Sequence, residues 1–143
     1  MLNRMTLRPR TRHLTAPALV AVAFTASACG GTATTANPTG TADVSVLAID
    51  TRFDQTEYSA KAGDVKIEYV SRGSLVHTLL LQDANGDRVK TTDSAGDAKD
   101  FLIRINSGEV KSATVPLVAG AYTLYCDLPQ HRSQGMEAKL TVT

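Results

Sequence analysis

The stretch YCDLPQHRSQGM, residues 125–136, closes one alternating run, GAYTLYC, and opens another, MEAKLTVT. Apolar side chains recur at every second position on either side of it, the period that puts one face of a strand inward and the other outward. The segment is therefore a loop joining two strands. Pro129 stiffens its turn and Gly135 leaves room for close backbone approach. Cys126, His131 and Met136 stand at steps of five along it, so a thiol, an imidazole and a thioether share one short connection.

Working outward, Val65, Ile67 and Tyr69 alternate with Lys66 and Glu68, which predicts a strand with Lys66 and Glu68 toward water. The same reading suits VSVLAID from Val44, FLIRI from Phe101 and VKSATV from Val110, while LVHTLLL from Leu75 is apolar on both faces, as a central strand would be. Short apolar runs separated by turn residues predict an all-β sandwich or barrel of about eight strands over residues 44–143. Asn85-Gly86 signals a two-residue hairpin with φ > 0 at both positions. A calcium-loop reading of DANGD fails for want of the spaced acids and the distal Glu. TTDSAGDAKD, residues 91–100, reads as a solvated connection carrying an acidic cluster, Asp93, Asp97 and Asp100. The chain shows no repeat, no heptads, no Gly-rich phosphate loop, no G-x-S-x-G elbow and no H-E-x-x-H pair.

The N-terminal third has another character. Arg4, Arg8, Arg10 and Arg12 precede the apolar stretch LTAPALVAVAFTASA, which ends in small residues. This is the pattern of a secretory signal peptide over residues 1–28, too short and too rich in Ala and Thr for a membrane-spanning helix. At ASACGG, the Ala-Ser-Ala triplet fits ordinary cleavage, which would leave a soluble secreted or periplasmic protein. The same junction resembles a bacterial lipobox, with Cys29 as the lipidated residue and Ala26 where Leu is more common. The lipoprotein reading is preferred, and it anchors the protein to the outer face of the cell membrane. Residues 29–43, Thr-, Ala- and Gly-rich, read as the lipidated Cys29 and a flexible tether.

Once the signal is removed, 11 Lys and Arg face 14 Asp and Glu, and 11 − 14 gives a net charge of −3 with His neutral. No basic stripe is present to neutralise phosphates, so nucleic acid is excluded as a partner.

With Cys29 committed to lipid, Cys126 is unpaired in an oxidising compartment, where a lone cysteine is buried, bonded to another chain, or bound to a metal. A Cys29–Cys126 disulfide would tether only a tail. Thiolate and imidazole are two of the three strong ligands of a trigonal His2Cys site, with a thioether as the long axial fourth. His13 leaves with the signal, so the candidate for the second imidazole is His77 in LVHTLLL. Taken singly, His77 reads as a hydrogen-bonded core residue and Met136 as core filler. Taken together, both remaining histidines, the free thiol and a methionine are all used.

In this pattern the sequence resembles the cupredoxins, the small blue copper proteins. Gly120, Tyr122, Cys126, Pro129, His131, Gly135 and Met136 follow the family's order. FDQTEYSAKAGDVKIEYVSRGSLVH is similar to its stretch before the first histidine. The spacing C-x4-H-x4-M looks more like the rusticyanin type of loop than the plastocyanin type. The resemblance implies a Greek-key β-sandwich holding one copper ion on His77, Cys126, His131 and Met136. Two departures stand out. The family usually clasps its ligand segments by a bond from Asn to Ser or Thr, and here those positions are Thr78 and Asp127. Gln130 stands where Gly is common.

Thiolate, two imidazoles and a thioether suit copper better than zinc, and the binuclear copper centre of cytochrome oxidase would need a second cysteine in the loop. Four protein ligands leave no open position, so the resemblance implies one-electron transfer and not catalysis. The implied partner is a c-type cytochrome or a copper oxidoreductase, met by a monomer through His131 with Leu128, Pro129 and the more polar Arg132 around it. Tyr125 offers a second exit or is an ordinary strand-edge tyrosine. Sequestration or delivery of copper at the envelope is the competing function, and a β-sandwich binding module without metal is the third.

Overall fold

The computed structural model describes residues 36–143, which lie in the compact unit Gly31–Thr143. The signal peptide and Cys29 fall outside the described residues. Eleven strands follow in order: β1 Val44–Ile49, β2 Arg52–Phe53, β3 Glu57–Ala60, β4 Gly63–Ser71, β5 His77–Gln82, β6 Lys90–Thr92, β7 Ala98–Asp100, β8 Leu102–Ile105, β9 Val110–Leu117, β10 Gly120–Tyr125 and β11 Glu137–Val142. One sheet runs β2-β1-β4-β9 and the other β3-β11-β10-β5-β8, with β6 and β7 as a separate ribbon. The β1–β4 and β3–β11 pairs are parallel, and every other pairing is antiparallel. Neighbours in each sheet come from distant parts of the chain, as a Greek-key sandwich requires. The strands beyond the expected eight or so are short pieces: β2 of two residues and the ribbon strands of three.

The inward faces follow the period of two. Val65, Ile67 and Tyr69 of β4 meet Leu79 and Leu81 of β5, Leu124 of β10 and Leu140 of β11 in one core. β5 lies between β10 and β8, and His77 through Leu81 are all buried, so its apolar run reflects cover on both faces. Tyr122 ties off the lower turn, its phenol donating to the Val118 carbonyl at 3.0 Å.

Four details differ from the sequence reading, and in each a side chain overrides the local pattern. Glu68 does not face water; it is 2% exposed. Residues 36–43, read as the end of a flexible tether, lie over it as a strap. Thr39 gives its amide to Glu68 Oε2 at 3.0 Å and its hydroxyl to Oε1, while Ser45 adds a third bond. Ala36 packs on Leu47 and Val70, its carbonyl accepts from Arg72 Nε at 3.0 Å, and Asp43 Oδ2 accepts the Lys66 amide at 2.8 Å.

The Asn85-Gly86 turn is not the two-residue type. Only Gly86 has positive φ (87°), and the Gly86 amide bonds the Asp83 carbonyl. Asp83 Oδ1 takes the amides of Asn85 and Asp87, each at 2.9 Å, which closes a three-residue loop with glycine in the bulge position. Residues 91–100 use the same device: Asp93 Oδ1 accepts from Ala95 and Asp97, Gly96 has φ 91°, and the supposed connection becomes the β6–β7 hairpin. The Asp83 and Asp93 carboxylates thus shape turns. Asp100 pairs with Arg88 and Lys90.

The loop from β4 to β5 crosses the end of β1 tightly. A Cβ on Gly73 would lie 2.5 Å from the Asp50 amide nitrogen and 3.0 Å from its Cα. Backbone cannot yield as a flexible side chain does. Gly73→Ala is therefore expected to lose about 2–3 kcal/mol of stability, the upper range for overpacking. Urea unfolding checks this, and an unchanged midpoint would show that the loop shifts freely.

Candidate metal centre

β5 begins with His77 and β10 ends just before Cys126, and these strands pair antiparallel, so both residues reach the same end of one sheet. The loop after β10 is folded back by backbone bonds. The Cys126 amide bonds the Met136 carbonyl at 3.0 Å and the Met136 amide bonds the His131 carbonyl at 3.1 Å. A 3₁₀ turn, Arg132–Gln134, ends at Gly135 with φ 118°, and the Gly135 carbonyl is fastened to the Phe53 amide at 3.2 Å.

This geometry brings together the residues singled out in the sequence. His77 Nδ1 is 3.3 Å from His131 Nδ1, which in turn is 3.6 Å from Cys126 Sγ, and the three ligating atoms lie within 4.8 Å of one another. Ligands about 2.0–2.3 Å from one first-row ion stand at such separations. With each imidazole proton on Nε2, two ring lone pairs and a sulfur face a single point, an arrangement that asks for a cation. Cys126 is a free, buried thiol; His77 is fully buried and His131 half-buried. Met136 is fully buried in the core cluster that includes Cys126. The residues fit a copper ion of the His2Cys class.

Burial, with the neighbouring His131 adding to it, pushes the His77 imidazole below the ordinary 6.5 to about 4, against a smaller opposing effect of Asp50. His77 thus stays neutral and available as a donor at neutral pH. Between about 4 and 6.5 the unfolded chain binds a proton that the folded chain does not. Stability of the copper-free protein is therefore complete above pH 6.5 and falls as pH drops toward 4, by about 3 kcal/mol. Unfolding curves at pH 7 and pH 4.5 measure it. A fall of equal size in His77→Gln would assign the effect elsewhere.

Behind the sulfur, Thr78 and Asp127 meet. The Thr78 hydroxyl donates to Asp127 Oδ1 at 2.7 Å and accepts the Asp127 amide at 3.2 Å, with its oxygen 3.3 Å from Cys126 Sγ. The clasp joins the two ligand segments. Gln130 has φ 67°, which explains why glycine is common there: the left-handed region costs an L-residue about 1–2 kcal/mol. Ser133 and Gln134 both bond the Gln130 carbonyl and hold it in that shape. Arg132 lies 4.5 Å over the Tyr125 ring and pairs with Glu137, while Tyr125 itself is buried. Sequence reading missed Arg88, whose guanidinium reaches both Asp100 (3.0 Å) and Asp127 (3.6 Å); no local pattern announces so distant a contact.

A β-sandwich that gathers two imidazoles and a thiol at one end, with a buried methionine in the same cluster, has the architecture of the small cupredoxin copper proteins. Comparison with known families agrees, for residues 41–143 match the pattern of the copper binding proteins of the plastocyanin/azurin family, and the chain belongs to that family. Its cofactor is copper. Among solved structures, auracyanin B shares 25% identity, covering 77% of this chain and 94% of its own, with a TM-score of 0.54. The azurin iso-2 of Methylomonas sp. strain J is 16% identical over 72% of this chain and 98% of its own, also at 0.54. Auracyanin A of Chloroflexus aurantiacus, described as a "blue" copper protein, is 18% identical over 69% and 96%, at 0.53.

Proposed function

We propose that this protein is a mononuclear blue copper electron carrier, in which His77, Cys126 and His131, with Met136 as a further donor, would hold the ion. The observation that carries the reading is the convergence of two imidazole nitrogens and one buried thiol sulfur within 4.8 Å. Bound copper supplies a one-electron couple. The residues would supply its setting: Cys126 and His77 are buried, and the backbone bonds between Cys126, Met136 and His131 hold the loop donors together. His131, partly open to solvent, is the route by which an electron enters or leaves. An ion whose positions would all be taken by protein donors has none left for a substrate, which favours carriage over catalysis.

The sequence supports export and lipid attachment at Cys29, which places the carrier at the outer face of the cell membrane. Its partner would then be a redox protein such as a c-type cytochrome or a copper oxidoreductase. Detergent-phase partition that disappears in Cys29→Ala tests the anchor.

Copper-loaded protein should show an intense visible thiolate-to-copper band and a narrow-hyperfine EPR signal. It should exchange electrons with a reduced c-type cytochrome in stopped flow. Colourless protein would refute the copper–thiolate site. Blue protein that hands copper to an apo acceptor, but exchanges no electrons, would instead assign it to copper delivery.

A further inference from the structure

The Thr78 hydroxyl has one proton, and two acceptors compete for it: Asp127 Oδ1 at 2.7 Å and Cys126 Sγ at 3.3 Å. The shorter bond to a carboxylate wins, so the sulfur faces the hydroxyl's lone pair and receives no donor from it. Asp127 is the neighbour of Cys126, yet its second oxygen is turned outward to Arg88, at 3.6 Å. Arg88 is shared with Asp100, the last residue of β7, which Lys90 also grips. A line of polar contacts therefore runs from the β6–β7 hairpin through Arg88, Asp127 and Thr78 to the ligand sulfur. Arginine suits the middle of that line because its planar fork addresses two carboxylates at once, and lysine, a point charge, does not.

We propose that Arg88 is a positioning residue for the copper–thiolate bond: it holds Asp127 where that carboxylate captures the Thr78 proton, and so withholds a hydrogen bond from Cys126 Sγ. The inference rests on the electron-carrier reading of the site and names the residue that tunes it. When Arg88 lets go, Asp127 swings out, Thr78 turns to the sulfur, and the sulfur electrons are held more tightly. Hydrogen bonding around the cysteine sulfur is one of the levers on the potential of such a site. The hairpin that forms residues 91–100 thereby gains a role, as the far anchor of this line.

The test is a double-mutant cycle in the full chain, Arg88→Gln against Thr78→Val, read by the energy of the thiolate-to-copper band and by the reduction potential. Arg88→Gln is expected to move the band to higher energy when Thr78 is present and to leave it unmoved when Thr78 is Val. Arg88→Lys, which keeps the charge, should shift the band as Arg88→Gln does. In copper-free protein, Arg88→Gln should also speed hydrogen exchange of the Asp127 amide. An equal band shift in both Thr78 backgrounds, no shift in either, a parent-like Arg88→Lys, or unchanged exchange would each overturn the proposal. Thr78→Ala replaces Thr78→Val if the latter folds poorly. A parent protein that is not blue refutes the copper reading instead, and the exchange measurement still decides whether Arg88 holds Asp127.

Discussion

Copper-loaded Cys126→Ala protein is expected to lose its blue band completely while keeping its fold. The colour of a copper–thiolate site would come from sulfur donating into copper, and Cys126 Sγ is the sulfur 3.6 Å from the His131 donor nitrogen. No other side chain among the described residues can supply a thiolate at that point. Truncation leaves a cavity of one sulfur atom in the core, costing about 1–2 kcal/mol, so folded protein should survive for measurement. Copper affinity should fall further than the 10–100-fold that follows loss of a supporting bond alone. The measurement is a titration with Cu(II) followed by visible and EPR spectra beside the parent. A band that persists in Cys126→Ala would place the sulfur ligand elsewhere.

The second large effect concerns the strap. A chain begun at Val44 should be less stable than one begun at Ala36 by about 3–5 kcal/mol, because the shorter chain strips partners from a buried carboxylate. Glu68 is 2% exposed and takes two bonds from Thr39, leaving only Ser45 at 3.3 Å when residues 36–43 are gone. The same deletion uncovers Leu47 and Val70 and removes the Ala36 carbonyl that Arg72 binds. Glu68→Gln should recover part of the loss in the short chain and cost stability in the long one. Equal unfolding midpoints for the two chains would show that the strap contributes nothing.

How much was readable beforehand divides along a physical line. Strands whose pattern answers to a single buried face, such as β8 and β11, were legible because the period of two is a local property. His77, Cys126 and His131 were legible because donor chemistry and scarcity restricted the choices, although 49 residues separate the first two. What escaped notice depends on partners far away in sequence. Nothing in ANPTGTAD says that it will meet Glu68 and Arg72, and Glu68 looks like a solvent-facing residue until that cover arrives. The Asn85-Gly86 turn failed for a nearer reason: the Asp83 carboxylate captures two amides and chooses a different loop. Arg88 escaped because a long side chain joins two carboxylates that only the fold makes neighbours.

The clipped loop between β10 and β11 has a consequence for metal loading. Cys126, His131 and Met136 are close along the chain, so a disordered polypeptide keeps them at high effective concentration, as a small flexible chelator would. These three side chains would therefore offer a metal ion a local foothold even without the sheets. A metal stabilises the native state only by the difference between its native and denatured affinities. That difference is supplied by His77, the one donor delivered from a remote strand, and by the rigidity that Gly135 and Phe53 impose. Bound copper would therefore add to native stability chiefly through His77, because only the folded chain brings β5 up to the loop donors.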